Sequence, residues 1–302
     1  MESKNKFSVI VPIHNKLPHL ERSVNSVLNQ TFDNLELILV DDASSDGSSG
    51  KISEFKDPRI KVFRREIPGP GGYAARNLGI THATGEWICF LDADDEWESS
   101  LLETIHRTIM SNPNVELISW GWFITRGGIK ILDKHTLTYN KLNARYYTLM
   151  DFLNGPPQIW TGAVSIKKDV LIKSGCFPEN DFKRGGDMDT WIRCLWHSRQ
   201  NIWLNRTLSY YHVDSVNMVT KNVERDISFI FSPFLQTLLE YQNPLLNKAI
   251  KNFQNRYLYI LLNGNVYKNR NINYGLLKKM NLNYQGIWLI IKLHLNKFRL
   301  SL

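Results

Sequence analysis

The sequence of 302 residues has few cysteines, no long apolar run and, in its last fifth, no acidic side chain. Its three cysteines, Cys89, Cys176 and Cys194, are odd in number and far apart, and none has the spacing of a metal-binding pair. No stretch reaches the ~18 consecutive apolar residues that a membrane-spanning helix needs, and the first residues lack a signal-peptide pattern. We therefore expect a cytoplasmic protein whose cysteines are structural thiols.

Acidic side chains are absent after Glu240, whereas ten of the 37 lysines and arginines follow it. All 29 acidic residues lie in the first 240 residues, so this part is slightly acidic and the net charge of +8 comes from the tail. A nucleic-acid-binding arm would need clustered charge on a recognisable module, and no such module is visible. We predict no nucleic-acid partner.

The first hundred residues alternate between strand and helix patterns. Four apolar runs predict buried strands, at Phe7–Ile13, Leu35–Asp41, Ile60–Arg65 and 86–92. Near-continuous apolar strands separated by helices are typical of a mainly parallel sheet covered by helices, which is an α/β fold. In such sheets ligands bind beyond the carboxyl ends of the strands, where Asp42 and Asp92 stand. Further patterns predict a helix over 98–111 and a strand over 115–124.

The segment WICFLDADDEW, residues 87–97, leads from a buried strand into three carboxylates, Asp92, Asp94 and Asp95. Like charges this close repel one another, and a bound Mg²⁺ or Mn²⁺ would remove the repulsion while sharing its shell with phosphates. A solvated turn is the alternative interpretation. The segment VDDASSDGS, residues 40–48, is similarly compatible with hydrogen bonds to a nucleoside and with a helix N-cap.

Four stretches in order, SVIVPIHN, LNQTFDNLELILVDDASSDGS, AARNLGITHATGEWICFLDADDEW and GGDMDTWIR, resemble the family 2 inverting glycosyltransferases with the GT-A fold. The resemblance is dense over residues 7–100 and thinner from about 160 to 217. It implies a Rossmann-like, mainly parallel sheet flanked by helices, with a C-terminal helical appendage.

The domain organisation follows from the same resemblance. A GT-A domain would cover residues 1–217, with a nucleotide-sugar half of about 1–100 and an acceptor half of about 101–217. A basic helical region would cover residues 218–302.

The resemblance assigns the nucleotide site residue by residue. Pro12, His14 and Asn15 would line this site, and Asp42 would contact the base. Arg76, in the AARN motif, would help to place the donor diphosphate.

The metal site is also assigned by resemblance. Asp92 and Asp94 match the Asp-x-Asp motif of the family, with Asp94 in direct contact with Mn²⁺ or Mg²⁺ and Asp92 near the metal, the ribose or the donor sugar. His212, in SYYHVDSVNM, is either a third metal ligand or a structural histidine. The role of Asp95 is open.

The catalytic base of an inverting enzyme would be Asp187, although Gly186 stands where relatives commonly have Glu. Losing that neighbouring carboxylate would make Asp187 less basic than in the relatives. The alternative is that Asp187 and Asp189 only complement a helix dipole. Trp160 and Trp191 are candidates for the acceptor pocket, because a sugar ring packs on an aromatic face.

The resemblance implies a metal-dependent inverting glycosyltransferase that moves a hexose or N-acetylhexosamine from a nucleotide sugar, most simply a UDP-sugar. The acceptor would be a hydroxyl of a glycan or glycolipid in bacterial surface polysaccharide synthesis, such as lipopolysaccharide, O-antigen or capsule. Two alternatives stay open: an inactive sugar-nucleotide-binding or membrane scaffold protein, which Gly186 would suit, and a Mg²⁺-dependent nucleotidyltransferase.

The tail has an amphipathic pattern. At helical spacing its apolar residues fall on one stripe, Tyr284, Trp288, Ile291, Leu295, Phe298 and Leu302. Lys292, Lys297 and Arg299 stand beside that stripe, which would suit an anionic surface at the inner face of the cytoplasmic membrane. A helix packed on the protein with a solvated basic face is the alternative. We favour the membrane, since many similar enzymes act on lipid-linked acceptors.

Overall fold

The computed structural model describes residues 5–142, 146–222, 226–269 and 271–300. They form two compact units. The first contains the described residues up to 149 and from 157 to 222, and the second contains residues 150–156 and the described residues from 226 onward. The sequence predicted one division at 217/218 and did not anticipate that residues 150–156 belong to the second unit.

The ten strands of the first unit form one sheet. They are β1 (Phe7–Ile13), β2 (Leu35–Asp42), β3 (Ile60–Arg65), β4 (Trp87–Phe90), β5 (Glu96–Trp97), β6 (Leu117–Arg126), β7 (Ile129–Leu132), β8 (Tyr146–Tyr147), β9 (Val164–Lys167) and β10 (Asn201–His212). The order is β3-β2-β1-β4-β9-β6-β10-β5, with β7 beside β6 and β8 beside β10. The strands β1 to β4 pair in parallel, as do β6 and β10, whereas β5, β7, β8 and β9 pair antiparallel.

Helices connect these strands. Those before residue 223 are α1 (Leu17–Leu28), α2 (Ser48–Glu54), α3 (Tyr73–His82), α4 (Leu101–Ser111), α5 (Lys134–Leu142), α6 (Leu149–Asn154), α7 (Lys168–Lys173), α8 (Gly186–His197) and α9 (Val219–Asn222). Short 3₁₀ turns lie at Pro70–Gly72 and Thr161–Ala163. The described part of residues 125–165 contains short strands and helices.

Apolar periodicity explains the core of the first unit. The strands β2 and β4 are buried at every position, which is why their sequences are nearly uninterrupted apolar runs. In α1, Leu20, Val24 and Val27 lie three or four residues apart and have no exposed surface. A Cβ atom added at Gly79 of α3 would lie 2.5 Å from Ile10, so this glycine allows the helix to pack directly on β1.

The second unit also contains α10 (Pro233–Glu240), α11 (Pro244–Asn269), α12 (Tyr274–Leu277) and α13 (Tyr284–Arg299). A buried amide network joins α11 to the start of α13: the Asn255 side chain accepts from the Asn281 amide at 2.7 Å and donates to its carbonyl at 3.0 Å. Asn283 caps α13 through the Gly286 amide at 2.8 Å. A Cβ atom at Gly286 would lie 2.0 Å from the Asn281 carbonyl oxygen, so only glycine permits this approach.

The predicted apolar stripe of the tail lies on an exposed face of α13. The exposed fractions of its described members run from 52% to 90%, for Tyr284, Trp288, Ile291, Leu295 and Phe298. Leu302 lies outside the described residues. The opposite face buries Leu289 and Leu293. Within the described ranges, every helix is too short or too polar to cross a membrane.

Candidate active site

The carboxyl ends of three neighbouring parallel strands meet at one edge of the sheet. His14 and Asn15 follow β1, Asp42 ends β2, and Asp92 follows β4 after one further residue. Since β1 lies between β2 and β4, the sheet order brings together side chains that are up to 78 residues apart, such as Lys16 and Asp94.

Asp42 is buried and has two donors for its carboxylate. Arg65, at the end of the adjacent β3, donates to Oδ1, and the Gly69 amide donates to Oδ2 at 3.1 Å. His14 Nδ1 lies 2.7 Å from the Asp42 carbonyl oxygen, and because a carbonyl only accepts, Nδ1 carries the proton. Arg65 was not predicted from the sequence, since its partnership depends on the pairing of β2 with β3.

Within residues 40–48, Asp41 is bonded inside its own turn. Asp41 accepts from the Ser44 amide at 3.0 Å and from the Ser49 hydroxyl, which makes it a turn residue. Asn15 has a left-handed backbone, with φ 55°, and its side chain accepts from the Ser45 amide at 2.8 Å. These bonds hold the loops after β1 and β2 together. Asp42 takes no part in them.

Arg76 is the cation beside Asp92. Its Nη2 lies 2.5 Å from Asp92 Oδ1, Nη1 donates to the Gly71 carbonyl at 2.8 Å, and its guanidinium stands over the Phe177 ring. Only 6% of the residue is exposed, and its buried Nε has no hydrogen-bond partner among the described residues. An unpaired buried donor costs free energy, so this N–H suits a substrate oxygen.

Lys16 is the cation beside Asp94, with Nζ 2.6 Å from Oδ2. Arg22 of α1 donates to the Asp94 carbonyl. Lys16 was missed in the sequence, although it directly follows the VPIHN motif at the end of β1. Its position after β1, at the sheet edge where the three carboxylates were expected, was the signal that could have identified Lys16.

The environment of Asp95 differs from those of Asp92 and Asp94. It has no exposed surface, its Oδ1 accepts from the His212 amide at 2.8 Å, and its Oδ2 has no partner among the described residues. Burial, reinforced by the charges of Asp94 and Asp92, raises the pKa of Asp95 well above its ordinary value. Asp95 therefore links the end of β10 to the acidic segment through the His212 amide.

His212 places Nε2 3.0 Å from Glu96 Oε1. That hydrogen bond is the main cause that lowers the pKa of Glu96. Since Nε2 is used, Nδ1 is the ring nitrogen that a metal ion could use. The role of His212 as a third ligand stays a prediction, and Glu96 is a partner that the sequence did not reveal.

The acids at this edge fit a divalent cation that arrives with a diphosphate. Within the described residues, no group of three or more His, Cys, Asp or Glu side chains is placed to hold a metal ion. Mg²⁺ is often bound by one or two carboxylates together with substrate phosphates, and Asp94 with Asp92 can supply these.

Asp187 stands in the first turn of α8, half-buried, with Oδ2 3.4 Å from the Thr161 hydroxyl. Burial raises the pKa of Asp187, the Asp92 charge adds to the rise, and the Arg76 charge and the Met188 amide oppose it. Asp189 in the same turn pairs with Arg193 at 2.8 Å, which is a structural role.

Packing explains why a glycine stands at position 186. Its amide donates to the Tyr73 hydroxyl at 2.9 Å. A Cβ atom at this position would lie 2.9 Å from Pro178 Cγ and 3.0 Å from the Tyr73 ring, so a glutamate does not fit without a shift. Tyr73 and Pro178 fill the space in which the Glu of relatives was expected, and burial, with the Asp92 charge adding to it, raises the pKa of Asp187.

The two tryptophans proposed for the acceptor differ. Trp160 is half-buried, with its ring against Trp122 at 5.5 Å. Trp191 has no exposed surface and packs against Phe90 and Phe177, so its assignment to the acceptor pocket is wrong. Helical spacing located Trp191 on α8 but did not show that its face meets β4. Trp160 stays a prediction.

Residues 8–171, more than half of the chain, match the family model described as Glycosyl transferase family 2. The chain belongs to this family. Its resemblance to family 2 is thereby confirmed.

Two relatives show what similar chains do. An Escherichia coli protein named UDP-Glc:alpha-D-GlcNAc-diphosphoundecaprenol beta-1,3-glucosyltransferase is 36% identical over 45% of this chain and 54% of its own length. A Campylobacter jejuni GalNAc(5)-diNAcBac-PP-undecaprenol beta-1,3-glucosyltransferase is 25% identical over 82% of this chain and 78% of its own. The match thus spans about half the length of the Escherichia coli relative.

Staphylococcus aureus TarS 1–349, crystallised with UDP-GlcNAc, has a similar structure, with a TM-score of 0.71. The likeness covers 95% of this chain and 80% of the TarS chain at 18% identity, so it concerns the fold alone. Together with the strand order, it confirms the predicted GT-A-type α/β fold.

Proposed function

We propose that the protein is an inverting glycosyltransferase that moves a sugar from a UDP-sugar to a hydroxyl of a lipid-linked glycan in bacterial surface polysaccharide synthesis. The observation that carries the proposal is the line of acids from Asp42 through Asp92 to Asp94 at one sheet edge, with Asp187 electrostatically coupled to Asp92 and Arg76. The relatives named as glucosyltransferases of undecaprenol-linked acceptors support the substrate class.

Each group has a task at the donor. Asp42 accepts hydrogen bonds from the base, beside Pro12, His14 and Asn15, and the unpaired Nε of Arg76 donates to a diphosphate oxygen. Asp94 and Asp92 would hold Mn²⁺ or Mg²⁺, and a cation there neutralises the charge of the departing diphosphate.

The acceptor side needs one base. Asp187 removes the proton from the acceptor hydroxyl as its oxygen attacks the anomeric carbon, and the nucleoside diphosphate leaves from the opposite face. A single displacement inverts the anomeric centre and needs no covalent intermediate. A carboxylate whose pKa is raised is a stronger base, so burial of Asp187 favours this role. The half-buried Trp160 would face the acceptor sugar.

The test combines binding with product analysis. A thermal-shift screen of nucleoside diphosphates and nucleotide sugars, with and without Mn²⁺, should give a metal-dependent rise for the uridine series. Incubation with the effective donor and a diphosphoundecaprenol-linked sugar should release UDP and form a glycoside of inverted configuration. Release of pyrophosphate, or no shift by any nucleotide in wild type and Asp42→Asn alike, would contradict the proposal.

We further propose that α13 lies on an anionic membrane surface. The amide network of Asn255 and Asn283 fixes the start of this helix, so its exposed apolar face is not needed there for packing. Lys292 stands over the Trp288 ring with Nζ 4.9 Å from the centroid, which places a cation at the edge of that face. The absence of acids after Glu240 provides the matching charge.

Vesicle sedimentation tests this surface. The full chain should bind phosphatidylglycerol-containing vesicles, less so in high salt, and Ile291→Glu with Leu295→Glu should weaken binding about tenfold or more. Ile129→Glu, at an exposed apolar residue of β7, is the control and should bind like wild type. The membrane role would be refuted if wild type did not bind the vesicles or if all variants bound equally. If the protein instead formed concentration-dependent dimers that the double variant lost, the exposed face of α13 would bind a second copy of the chain.

A further inference from the structure

Lys16 has a more elaborate environment than a surface ion pair requires. Its Nζ lies 2.6 Å from Asp94 Oδ2, 2.7 Å from the Val216 carbonyl oxygen and 3.4 Å from that of Asn217. An ammonium has three N–H donors, and three acceptors surround this one. The side chains of Lys16 and Asp94 are only 12% and 10% exposed, so solvent screens their attraction less than at an open surface.

The segment 213–217, which follows His212, is tied to the same region by further bonds. The Val216 amide donates to His19 Nε2 at 3.1 Å, and the Asn217 side chain donates to the Asn15 carbonyl at 3.2 Å. Both bonds are solvent-exposed, as are the contacts of Lys16 with the Val216 and Asn217 carbonyls, whereas the ion pair of Lys16 with Asp94 is largely buried. Lys16 thus links the end of β1, the acid after β4 and the segment after β10.

We propose that Lys16 is a resident cation that competes with the divalent ion for Asp94 and, when it is displaced, releases Val216 and Asn217 at the end of the segment 213–217. The inference rests on the proposed function, because it needs Asp94 as a metal ligand. A divalent ion would stand ~2.1 Å from a carboxylate oxygen. A divalent ion at Oδ2 could not share that position with an ammonium 2.6 Å away, so Lys16 would be displaced from this oxygen.

Withdrawal has a structural consequence. The carbonyls of Val216 and Asn217 lose the donor that they share, and these two residues keep the exposed bonds to His19 and Asn15. The start of the segment stays in place, because the Val213 amide donates to the Thr125 carbonyl at 3.0 Å and Asp214 accepts from the Gly127 amide at 2.7 Å. Metal binding and release of the end of the segment are therefore coupled, and by reciprocity a variant with a loosened segment binds metal more tightly. Lys16 so prevents stable metal binding until a donor diphosphate contributes further ligands.

Mn²⁺ titration of the full chain, read from the electron paramagnetic resonance signal of the free ion with saturating UDP, tests the competition. Lys16→Met should bind Mn²⁺ roughly tenfold more tightly than wild type, because a unit charge beside the ligand is removed. Lys51→Met is the matched control, since it removes the same charge from an exposed pair with Glu54 and should change nothing. Asp94→Asn should abolish binding.

Hydrogen exchange of residues 216 and 217 tests the release. In wild type, Mn²⁺ with UDP should accelerate their exchange, and in Lys16→Met exchange should already be fast without metal. Lys16→Gln keeps N–H donors without the charge, so it should bind Mn²⁺ tightly and keep partial protection, and it replaces the Met variant if that fails to fold. Unchanged Mn²⁺ affinity in both variants, with binding lost in Asp94→Asn, would overturn this inference alone, whereas no binding in any protein would overturn the donor site as well.

Discussion

Acidic side chains at the two ends of the parallel strands β1, β2 and β4 have pKa values that are shifted in opposite directions. At the amino end, Glu36 accepts hydrogen bonds from Ser8 and from the amide and hydroxyl of Thr84, and it pairs with Lys61 at 2.7 Å. Although burial opposes it, these bonds lower the pKa of Glu36 to about 2. At the carboxyl end, Asp95 and Asp187 have fewer donors, and burial raises their pKa values. Hydrogen bonds and an ion pair therefore set the pKa of the acid at one end, whereas burial sets the pKa values of the two acids at the other end.

Among the variants that test this difference between the two ends, Asp187→Asn should have the largest effect on the transfer rate. The amide cannot take the acceptor proton, so we expect the transfer rate to fall by roughly 10²–10⁴, while UDP affinity stays within about twofold. The folded protein should be as stable as wild type or more so, since a buried carboxyl that resists ionisation is replaced by a neutral group. Rate, UDP titration and urea unfolding measure the three quantities, and near-normal transfer would remove Asp187 from catalysis.

The sequence was most informative where structure is local. The bounds of β1, β3 and α3 follow from apolar runs and turn residues, and the structure has them as predicted. The acids after β4 were also located, because the end of a buried strand is visible in the sequence as a change from apolar to charged residues.

What the sequence did not reveal depends on sheet order and on which face of an element is covered. Arg65 reaches Asp42 because β3 lies beside β2, and Lys16 reaches Asp94 because β1 lies beside β4. The burial of Trp191 depends on Phe177, on a separate segment. Such contacts join residues far apart in the chain, and no periodicity encodes them.

Glu36→Gln should have an intermediate effect, because it removes the carboxylate that is stabilised by hydrogen bonds at the amino end of the strands. A group whose folded pKa lies below its unfolded value contributes stability above the unfolded value, here 4.5, and loses it as the pH falls toward about 2. We therefore expect the variant to lose about 2 kcal/mol at pH 7 and to approach wild type near pH 2. Urea unfolding of the first unit at both pH values measures the difference.

A matched control for Glu36→Gln is Glu103→Gln, which breaks an exposed pair with Arg107 on α4. Exposed helix pairs contribute about 0.5 kcal/mol or less, so this variant should unfold almost like wild type at both pH values. If the Glu36→Gln deficit persisted unchanged at low pH, a packing change rather than the ionised carboxylate would be its cause.

Gly186→Ala should have a smaller effect on stability than Glu36→Gln and should act on function through position. The new Cβ would press on Pro178 and the Tyr73 ring, 2.9 and 3.0 Å away, and would displace the start of α8. We expect a loss of about 1 kcal/mol in urea unfolding and a fall in transfer rate larger than that loss explains, because Asp187 moves with the backbone. Gly50→Ala in α2, where a Cβ meets nothing within 4 Å, should retain full activity and be slightly stabilised. An equal response of the two variants would show that the tight packing around Gly186 does not position Asp187.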